Sequence, residues 1–273
     1  MVFVTEEFSL TAIWSEVAGP ADAPLVVLVH GTMDRSTGML KVSRRLDSRF
    51  RVVRYDRRGY GRSAPHVGPF EMSSQVDDLV SLLDGRQAVL VAHSYGGNVA
   101  MATAARCPDL IQGVALFESP LSWEPWWPGS TAGSAARAGA GEEGDAAEAF
   151  MRRMIGNRRW ETLPERTRLT RRAEGTSMVG ELKDLHANAP WSATDIMCPV
   201  VAGFGSLSSE HHREGMRLVS ERVGSGAVVE LIGARHDAPN SHAEMFTTMI
   251  VDPLMQMVGG RWAQAASVRA ESC

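Results

Sequence analysis

Val89-Leu90-Val91-Ala92-His93-Ser94-Tyr95-Gly96-Gly97-Asn98-Val99-Ala100 is the stretch that decides the fold of this chain. An apolar run typical of a buried β-strand ends abruptly at Ser94, and a run of small residues typical of a closely packed helix follows it. The small residues two positions before and after Ser94, Ala92 and Gly96, permit a sharp strand-turn-helix connection from which the serine side chain projects. The pattern predicts a nucleophile at Ser94, with the first N–H groups of the helix, including that of Tyr95, facing developing negative charge. A serine that only caps the helix is the alternative.

A second buried strand ends in a turn that supplies another hydrogen-bond donor. Residues 25–29 form a continuous apolar run, which is typical of a strand inside a parallel sheet, and His30-Gly31-Thr32-Met33 follows it. A turn with glycine at the end of such a strand can present backbone N–H groups to a ligand. We therefore predict that the N–H of Thr32 joins that of Tyr95 in an oxyanion hole.

Four segments follow one another in an order that resembles the α/β-hydrolase family. They are His30-Gly31, the loop Asp56-Arg57-Arg58-Gly59-Tyr60-Gly61-Arg62-Ser63, the turn at Ser94, and Gly233-Ala234-Arg235-His236. The resemblance covers residues 25–254 and makes the Ser94 turn the nucleophile elbow of the family. It implies an α/β fold with a mostly parallel sheet, helices on both faces and a helical cap inserted after the sixth strand. It also implies that the 56–63 loop braces the sheet edge and takes no part in chemistry.

The composition changes between Leu121 and Thr194, and this segment is predicted to be the cap. The resemblance thus divides the chain into a core of residues 1–120 and 195–273 and a cap of residues 121–194. Near its start the cap carries Trp123, Trp126 and Trp127. These tryptophans either fasten the cap to the core or line an apolar substrate pocket, since an indole offers a large rigid face with one donor.

A serine hydroxyl needs a base to take its proton, and histidine has a suitable pKa. Among the eight histidines, His236 follows the last apolar strand, where the family has its catalytic histidine. His242, at the start of the final helix, is the alternative. His93 is predicted to be structural, and His211-His212 is predicted to be a solvated helix start and not a metal-binding pair.

The acid that orients this base is predicted at an uncommon place. Most of the family has an aspartate in the loop after the seventh strand, but here residues 203–210 contain none. Glu118 ends the preceding strand at the carboxyl edge of the sheet, where active sites of open α/β sheets gather, and some branches, such as the haloalkane dehalogenases, carry their acid at that strand end. A glutamate that braces the cap by hydrogen bonds is the alternative. Glu210 lies too far into the next helix, and Asp237 would point away from the ring of His236.

Two helices are predicted from local patterns. Ser74-x-x-Asp77 resembles a capping box, which predicts that a helix begins there. Towards the end of the chain an apolar stripe at helical spacing predicts a face packed on the core, formed by Met245, Phe246, Met249 and Ile250.

Length, charge and cysteine content limit the remaining possibilities. The chain of 273 residues is long enough for one complete α/β domain, and its net charge of −4 shows no bias towards nucleic acid or an anionic membrane. The first residues lack a basic region and a long apolar core, so no signal peptide is expected. The three cysteines lack the spacing of a metal site and are expected to be reduced thiols. We expect a cytoplasmic protein without metal or organic cofactor, whose partner is a small-molecule ester and neither nucleic acid nor membrane. The oligomeric state stays open.

The identity of the nucleophile selects the reaction class. The haloalkane dehalogenases and epoxide hydrolases of the family carry aspartate at the elbow, so a serine there argues against both activities. Serine with histidine and two amide donors predicts a serine hydrolase, most simply a carboxylesterase, that forms an acyl-enzyme on a small or medium apolar ester or lactone. The alternatives are hydrolysis of carbon–carbon bonds, a lyase or cofactor-free oxygenase on the same scaffold, and a catalytically silent ligand-binding relative.

Overall fold

A sheet of seven strands forms the centre of the structure. The computed structural model describes residues 13–138 and 142–259. In chain order the strands are β1 (Ser15–Ala18), β2 (Leu25–Val29), β3 (Arg51–Tyr55), β4 (Ala88–His93), β5 (Ile111–Phe117), β6 (Val200–Gly205) and β7 (Gly226–Leu231). Their order across the sheet is β1-β3-β2-β4-β5-β6-β7, and β1 with β3 is the antiparallel pair. The other neighbours are parallel.

The two faces of the sheet carry separate apolar cores. Along β2, Leu25, Val27 and Val29 belong to one core and Val26 and Leu28 to the other, because successive side chains of a strand point to opposite faces. All five residues of this strand are buried, which is typical of a parallel sheet covered on both sides. The predicted α/β fold is confirmed.

Helices cover both faces of the sheet. Helices α2, α3 and α9 pack in the first core, and α1, α10 and α11 in the second. None of the helices within the described residues is long and apolar enough to cross a membrane. The helices are α1 (Leu40–Leu46), α2 (Met72–Leu83), α3 (Tyr95–Arg106), α4 (Ala132–Ala138), α5 (Glu143–Ile155), α6 (Asn157–Glu161), α7 (Glu165–Ala173), α8 (Gly175–Ala187), α9 (Glu210–Arg222), α10 (Ala238–Ser241) and α11 (Ala243–Phe246). Residues 252–259 are α-helical as well.

The segment 121–194, which we call the helical insertion, lies between β5 and β6 and contains helices α4 to α8. β5 is the fifth of the seven described strands. Helix α8 attaches the insertion to the rest of the molecule: the Asp184 carboxylate accepts the N–H of Met72 at 2.8 Å. Residues 1–12, 139–141 and 260–273, which the predicted core and cap include, lie outside the described residues.

One local prediction was wrong and another was right in part: of the predicted apolar stripe, Phe246 and Ile250 are buried and Met245 packs against the core, but Met249 does not. Helix α2 begins at Met72, so Ser74 lies within its first turn and does not cap it. After α11 the chain forms a π-helical turn at Thr247–Val251, in which i to i+5 hydrogen bonding changes the positions of residues around the axis. Met249 is therefore 40% exposed instead of packed on the core. The buried face consists of Phe246, Thr247, Ile250 and Val251.

Candidate active site

Ser94 lies at the turn between β4 and α3 in a left-handed backbone conformation. Its φ is 53° and its ψ is −129°, and its N–H donates to the carbonyl oxygen of Phe117 on the neighbouring strand at 2.8 Å. Such a conformation costs on the order of 1–3 kcal/mol and persists only where the surrounding structure enforces it. The sharp turn expected from the sequence is therefore present.

Two glycines allow other parts of the chain to approach Ser94 closely. A Cβ atom on Gly31 would lie 2.8 Å from the Ser94 Cβ and 3.4 Å from its Oγ. A Cβ atom on Gly96 would lie 2.5 Å from the carbonyl oxygens of both Val29 and His30. The turn after β2 thus runs directly beside the serine hydroxyl, because glycine leaves the space free.

Glu118 and His236 form a hydrogen-bonded pair at the carboxyl edge of the sheet. Glu118 follows β5, is fully buried and has a φ of 50°. Its Oε2 lies 2.7 Å from His236 Nδ1, and its Oε1 accepts the N–H of Gly205 at 2.8 Å. Burial raises the pKa of this carboxyl, but the hydrogen bond to His236 and the charge interaction with it outweigh burial and lower the pKa to about 2. The carboxylate is ionised at neutral pH and keeps a proton on Nδ1, which leaves Nε2 free to act as a base.

His93 connects the serine turn to His236. It directly precedes Ser94, and its Nε2 lies 2.7 Å from the carbonyl oxygen of His236. The ring centroids of the two histidines are 4.7 Å apart. Burial and, second, the proximity of His236 lower the pKa of His93 to about 3, so the ring is neutral at physiological pH. This arrangement fits the structural role predicted for His93.

The alternatives considered for acid and base lie elsewhere. His242 Nδ1 is 2.8 Å from the hydroxyl of the adjacent Ser241 at the surface, and within the described residues the histidine that contacts Glu118 Oε2 is His236. The loop after β6 carries no carboxylate at residues 206–209. Ser206 in this loop accepts the N–H of Gly233 at 2.8 Å, so the loop lies beside the segment that leads to His236.

Thr32 and Tyr95, the predicted oxyanion donors, lie on the two segments that border Ser94. Tyr95 is the first residue of α3, and Thr32 follows Gly31. Within residues 13–138 and 142–259, no backbone hydrogen bond uses the N–H of either residue as its donor. Both N–H groups are therefore available to a ligand. The Thr32 side chain is occupied, since its hydroxyl donates to Glu181 Oε1 at 2.7 Å.

The sequence profile of the alpha/beta hydrolase family matches residues 26–248. The chain belongs to the alpha/beta hydrolase family. The matched region of this alpha/beta hydrolase begins within β2 and extends beyond α11, and it includes Ser94, Glu118 and His236.

Relatives of this hydrolase align with parts of the chain. The chain is 29% identical to the 2-(acetamidomethylene)succinate hydrolase of Mesorhizobium japonicum over 119 residues, 42% of this chain and 43% of that protein. It is 38% identical to the putative carbamate hydrolase RutD of Caulobacter sp. over 107 residues, 37% of this chain and 40% of the relative. The aligned region thus spans less than half of either relative.

Solved structures resemble this hydrolase over most of its length. The enol-lactonase from Burkholderia xenovorans LB400 has a TM-score of 0.68 and 24% identity, covering 86% of this chain and 94% of that one. A thermophilic esterase from Thermogutta terrifontis has a TM-score of 0.68 and 21% identity, covering 90% of this chain and 93% of the esterase. At these identities the likeness shows the fold alone.

His212 was wrongly predicted to be a solvated residue. Its ring stacks on that of His236, with centroids 4.8 Å apart and an interplanar angle of 24°. Its Nδ1 is buried and has no hydrogen-bond partner among the described residues. Burial and, second, His236 lower the pKa of His212 well below its ordinary value. The position of this residue at the start of the helix after β6, at the carboxyl edge of the sheet, was the signal that sequence reasoning missed. We call His93, His236 and His212 the histidine stack.

The three predicted tryptophans occupy different positions in this hydrolase. Trp123 packs edge-on against Trp191 with 5.7 Å between ring centroids, and the Trp191 Nε1–H donates to a side chain of α3 at 3.1 Å. This pair fastens the insertion to the core. Trp126 is 39% exposed. Trp127 contacts the histidine stack, with 5.5 Å between its ring centroid and that of His212, and is the tryptophan that borders the site.

One group of described residues has the donor types and the proximity of a metal site. The ligand atoms of Glu118, His212 and His236 lie within 4.8 Å of one another. However, Glu118 and His236 already bond to each other at 2.7 Å, and the near-parallel rings of His212 and His236 aim their in-plane lone pairs side by side. A metal needs lone pairs that converge on one point, so this geometry suits proton transfer better than coordination.

Proposed function

We propose that this alpha/beta hydrolase is a serine hydrolase that forms an acyl-enzyme on a small or medium apolar carboxylic ester or lactone. The observation that carries the proposal is Ser94 on its strained turn, directly after His93, whose ring contacts the His236 of the hydrogen-bonded pair Glu118–His236. These are the nucleophile, orienting acid and base that acyl transfer requires. We further propose that the helical insertion acts as the cap over this site and that the protein works in the cytoplasm on a small molecule.

The reaction follows from the roles of these groups. His236 Nε2 takes the proton of Ser94 Oγ as Oγ bonds to the carbonyl carbon, and the N–H groups of Thr32 and Tyr95 hold the resulting oxyanion. His236 then gives that proton to the departing alkoxide when the bond between carbon and the alcohol oxygen breaks. A water molecule repeats the sequence on the acyl-enzyme and releases the carboxylic acid. Glu118 stays ionised and stabilises the charged imidazolium of His236.

An apolar substrate is supported by the surroundings of the site. Trp127 presents an indole beside the histidine stack, and indoles form rigid apolar pocket walls. Two of the similar structures are those of an enol-lactonase and an esterase, which agrees with an ester or lactone as the substrate class.

The test is stopped-flow hydrolysis of a series of p-nitrophenyl esters by wild type and Ser94→Ala. We expect a burst of nitrophenol equal to the enzyme concentration in wild type, and a loss of about a thousandfold or more in kcat for the variant. His236→Ala should behave like Ser94→Ala, whereas its matched control His242→Ala should keep wild-type turnover. A folded wild type that cleaves no ester would refute the proposal and favour carbon–carbon bond hydrolysis, a lyase or oxygenase reaction, or ligand binding without turnover.

A further inference from the structure

Glu181 of helix α8 is a buried carboxylate that contacts the segment following β2. Its side chain is 2% exposed, and that of its ion-pair partner Arg57 is 0% exposed, with 2.7 Å between Arg57 Nη1 and Glu181 Oε2. The hydroxyls of Thr32 and Tyr60 donate to Oε1 at 2.7 and 2.6 Å. A carboxylate is buried at acceptable cost only when donors surround both oxygens, so these contacts hold Glu181 in one position.

Arg57, the ion-pair partner of Glu181, contacts both the turn after β2 and Tyr95 at the start of α3. Its Nε–H donates to the carbonyl oxygen of His30 at 2.9 Å, and its backbone N–H donates to His30 Nε2 at 2.8 Å. The guanidinium carbon lies 4.6 Å from the ring centroid of Tyr95. Glu181 and Arg57 together therefore contact Thr32 and Tyr95, the two residues whose N–H groups are proposed to hold the oxyanion.

Helix α7 holds the same turn a little further along. The Arg171 guanidinium donates to the carbonyl oxygen of Met33 at 2.7 Å, and Met33 has a φ of 57°. Such a backbone conformation is uncommon for a residue other than glycine and needs support from its surroundings. The turn after β2 is thus shaped by side chains of the helical insertion as well as by the sheet.

We infer that Glu181 is a positioning residue for the oxyanion hole: its hydrogen bond to the Thr32 hydroxyl sets the direction of the Thr32 N–H. The inference rests on the proposed function, because it gives Thr32 a role in acyl transfer. It means that docking of the insertion and stabilisation of the oxyanion are coupled. Loss of the hydrogen bond should lower the rates of acylation and deacylation together, because an oxyanion forms in both steps, and it should leave KM almost unchanged, since the oxyanion is absent from the bound substrate.

The experiment compares Thr32→Val, Thr32→Ser, Glu181→Gln and the double variant Thr32→Val/Glu181→Gln in full-length protein, with p-nitrophenyl acetate as the substrate. Thr32→Val keeps the backbone N–H and the side-chain shape but removes the hydroxyl. We expect it to lower kcat about tenfold to hundredfold with KM within about twofold, and Thr32→Ser to restore most of kcat. The double variant should lose less than the product of the two single losses, because both changes affect the same hydrogen bond between Thr32 and Glu181.

Asp184→Asn is the matched control. It alters another carboxylate of α8 that contacts the core, at Met72, and that has no bond to the turn after β2 among the described residues. It should keep wild-type kcat. Wild-type kcat in Thr32→Val, losses that multiply in the double variant, or an equal loss of kcat in Asp184→Asn would overturn the inference. Should Glu181→Gln fail to fold, the pair Thr32→Val and Thr32→Ser still decides it, since neither variant disturbs the ion pair with Arg57.

Wild type is measured first, so that the two proposals can be separated. A folded wild type that cleaves no p-nitrophenyl ester overturns both the proposed function and this inference. Normal turnover by wild type, lost in Ser94→Ala, together with an unchanged kcat in Thr32→Val overturns only the role of Glu181 and leaves the serine hydrolase intact.

Discussion

Ser94 and Glu118 adopt φ angles of 53° and 50° although neither residue is a glycine. They follow β4 and β5, two neighbouring parallel strands, so both strained residues lie at the same edge of the sheet. Strain of this kind persists where the surrounding structure over-determines the backbone, and it gathers at functional sites. At the scale of single residues, backbone strain therefore coincides with both the proposed nucleophile, Ser94, and the proposed acid, Glu118.

Glu118→Gln tests the acid. Glutamine keeps the size of the side chain and its contact with Gly205, but it removes the charge that holds the proton on His236 Nδ1. We expect kcat for p-nitrophenyl acetate to fall by about two to four orders of magnitude, since loss of the triad acid impairs both the tautomer and the charged imidazolium. Glu210→Gln, at the exposed start of α9, is the control and should retain full activity. Wild-type kcat in Glu118→Gln would remove this residue from the mechanism.

His212 offers a second residue-scale test, because its ring covers one face of the His236 ring. We expect His212→Ala to lower kcat about threefold to tenfold, which corresponds to the 0.5–1.5 kcal/mol of an aromatic pair. His212→Phe should retain most of the activity, since the phenyl ring preserves the stack without a titratable nitrogen. If His212→Phe and His212→Ala lose the same activity, a nitrogen of His212 takes part in the reaction and the role of the ring is not packing. Steady-state kinetics of both variants, with His211→Ala as the neighbouring control, measures this difference.

At the scale of elements, the turn after β2 depends on a glycine. A methyl group at Gly31 would lie 2.8 Å from the Ser94 Cβ, closer than side-chain carbons approach one another. Gly31→Ala should therefore push the turn away from the serine and lower kcat about tenfold to hundredfold, since a displacement of about 1 Å can have such an effect. Gly129→Ala is the control, because nothing lies within 4 Å of a Cβ added there. The measurement is the burst amplitude and kcat of Gly31→Ala and Gly129→Ala. Equal values in the two variants would contradict the steric argument.

Elements with simple local signals were predictable from the sequence, and elements set by packing were not. Unbroken apolar runs gave the central strands, because a strand buried on both faces needs apolar residues at every position. The pairing of Glu118 with His236 was predicted correctly, because Glu118 ends a central strand and residues 203–210 contain no aspartate that could take its place. The π-helical turn and the position of His212 were missed, since each depends on neighbours far apart in the chain. Glu181 was missed for the same reason: no local pattern shows that a glutamate of the insertion reaches Arg57.

At the scale of the whole molecule, three histidines make stability depend on pH. Burial, as the largest cause, lowers the pKa values of His30, His93 and His212 in the folded state. The unfolded chain binds protons to these groups near pH 6.5, so it takes up more protons than the folded chain as the pH falls below that value. The free energy of unfolding is therefore not reduced by these histidines above about pH 6.5, and it decreases as the pH falls below that value.

We therefore expect the free energy of unfolding to decrease between pH 7 and pH 4, by about 1.4 kcal/mol per pH unit for each extra proton bound by the unfolded chain. Urea unfolding at several pH values in this range measures the slope. His93→Asn should reduce it by nearly one proton, because the pKa of His93 is about 3 in the folded protein. A slope that is equal in wild type and variant would show that His93 is protonated in the fold.

The position of Glu118, the proposed acid, at the end of a central strand has a consequence for how this protein can change. Glu118 is anchored between β4 and β6 and is held by the N–H of Gly205, so its position does not depend on the length of any surface loop. The loop 206–209, which lies beside the segment leading to His236, supplies no carboxylate to the proposed triad. Insertions and substitutions there can alter what the site accepts while the proton-transfer chain stays in place, which makes this loop the natural target for redesigning specificity.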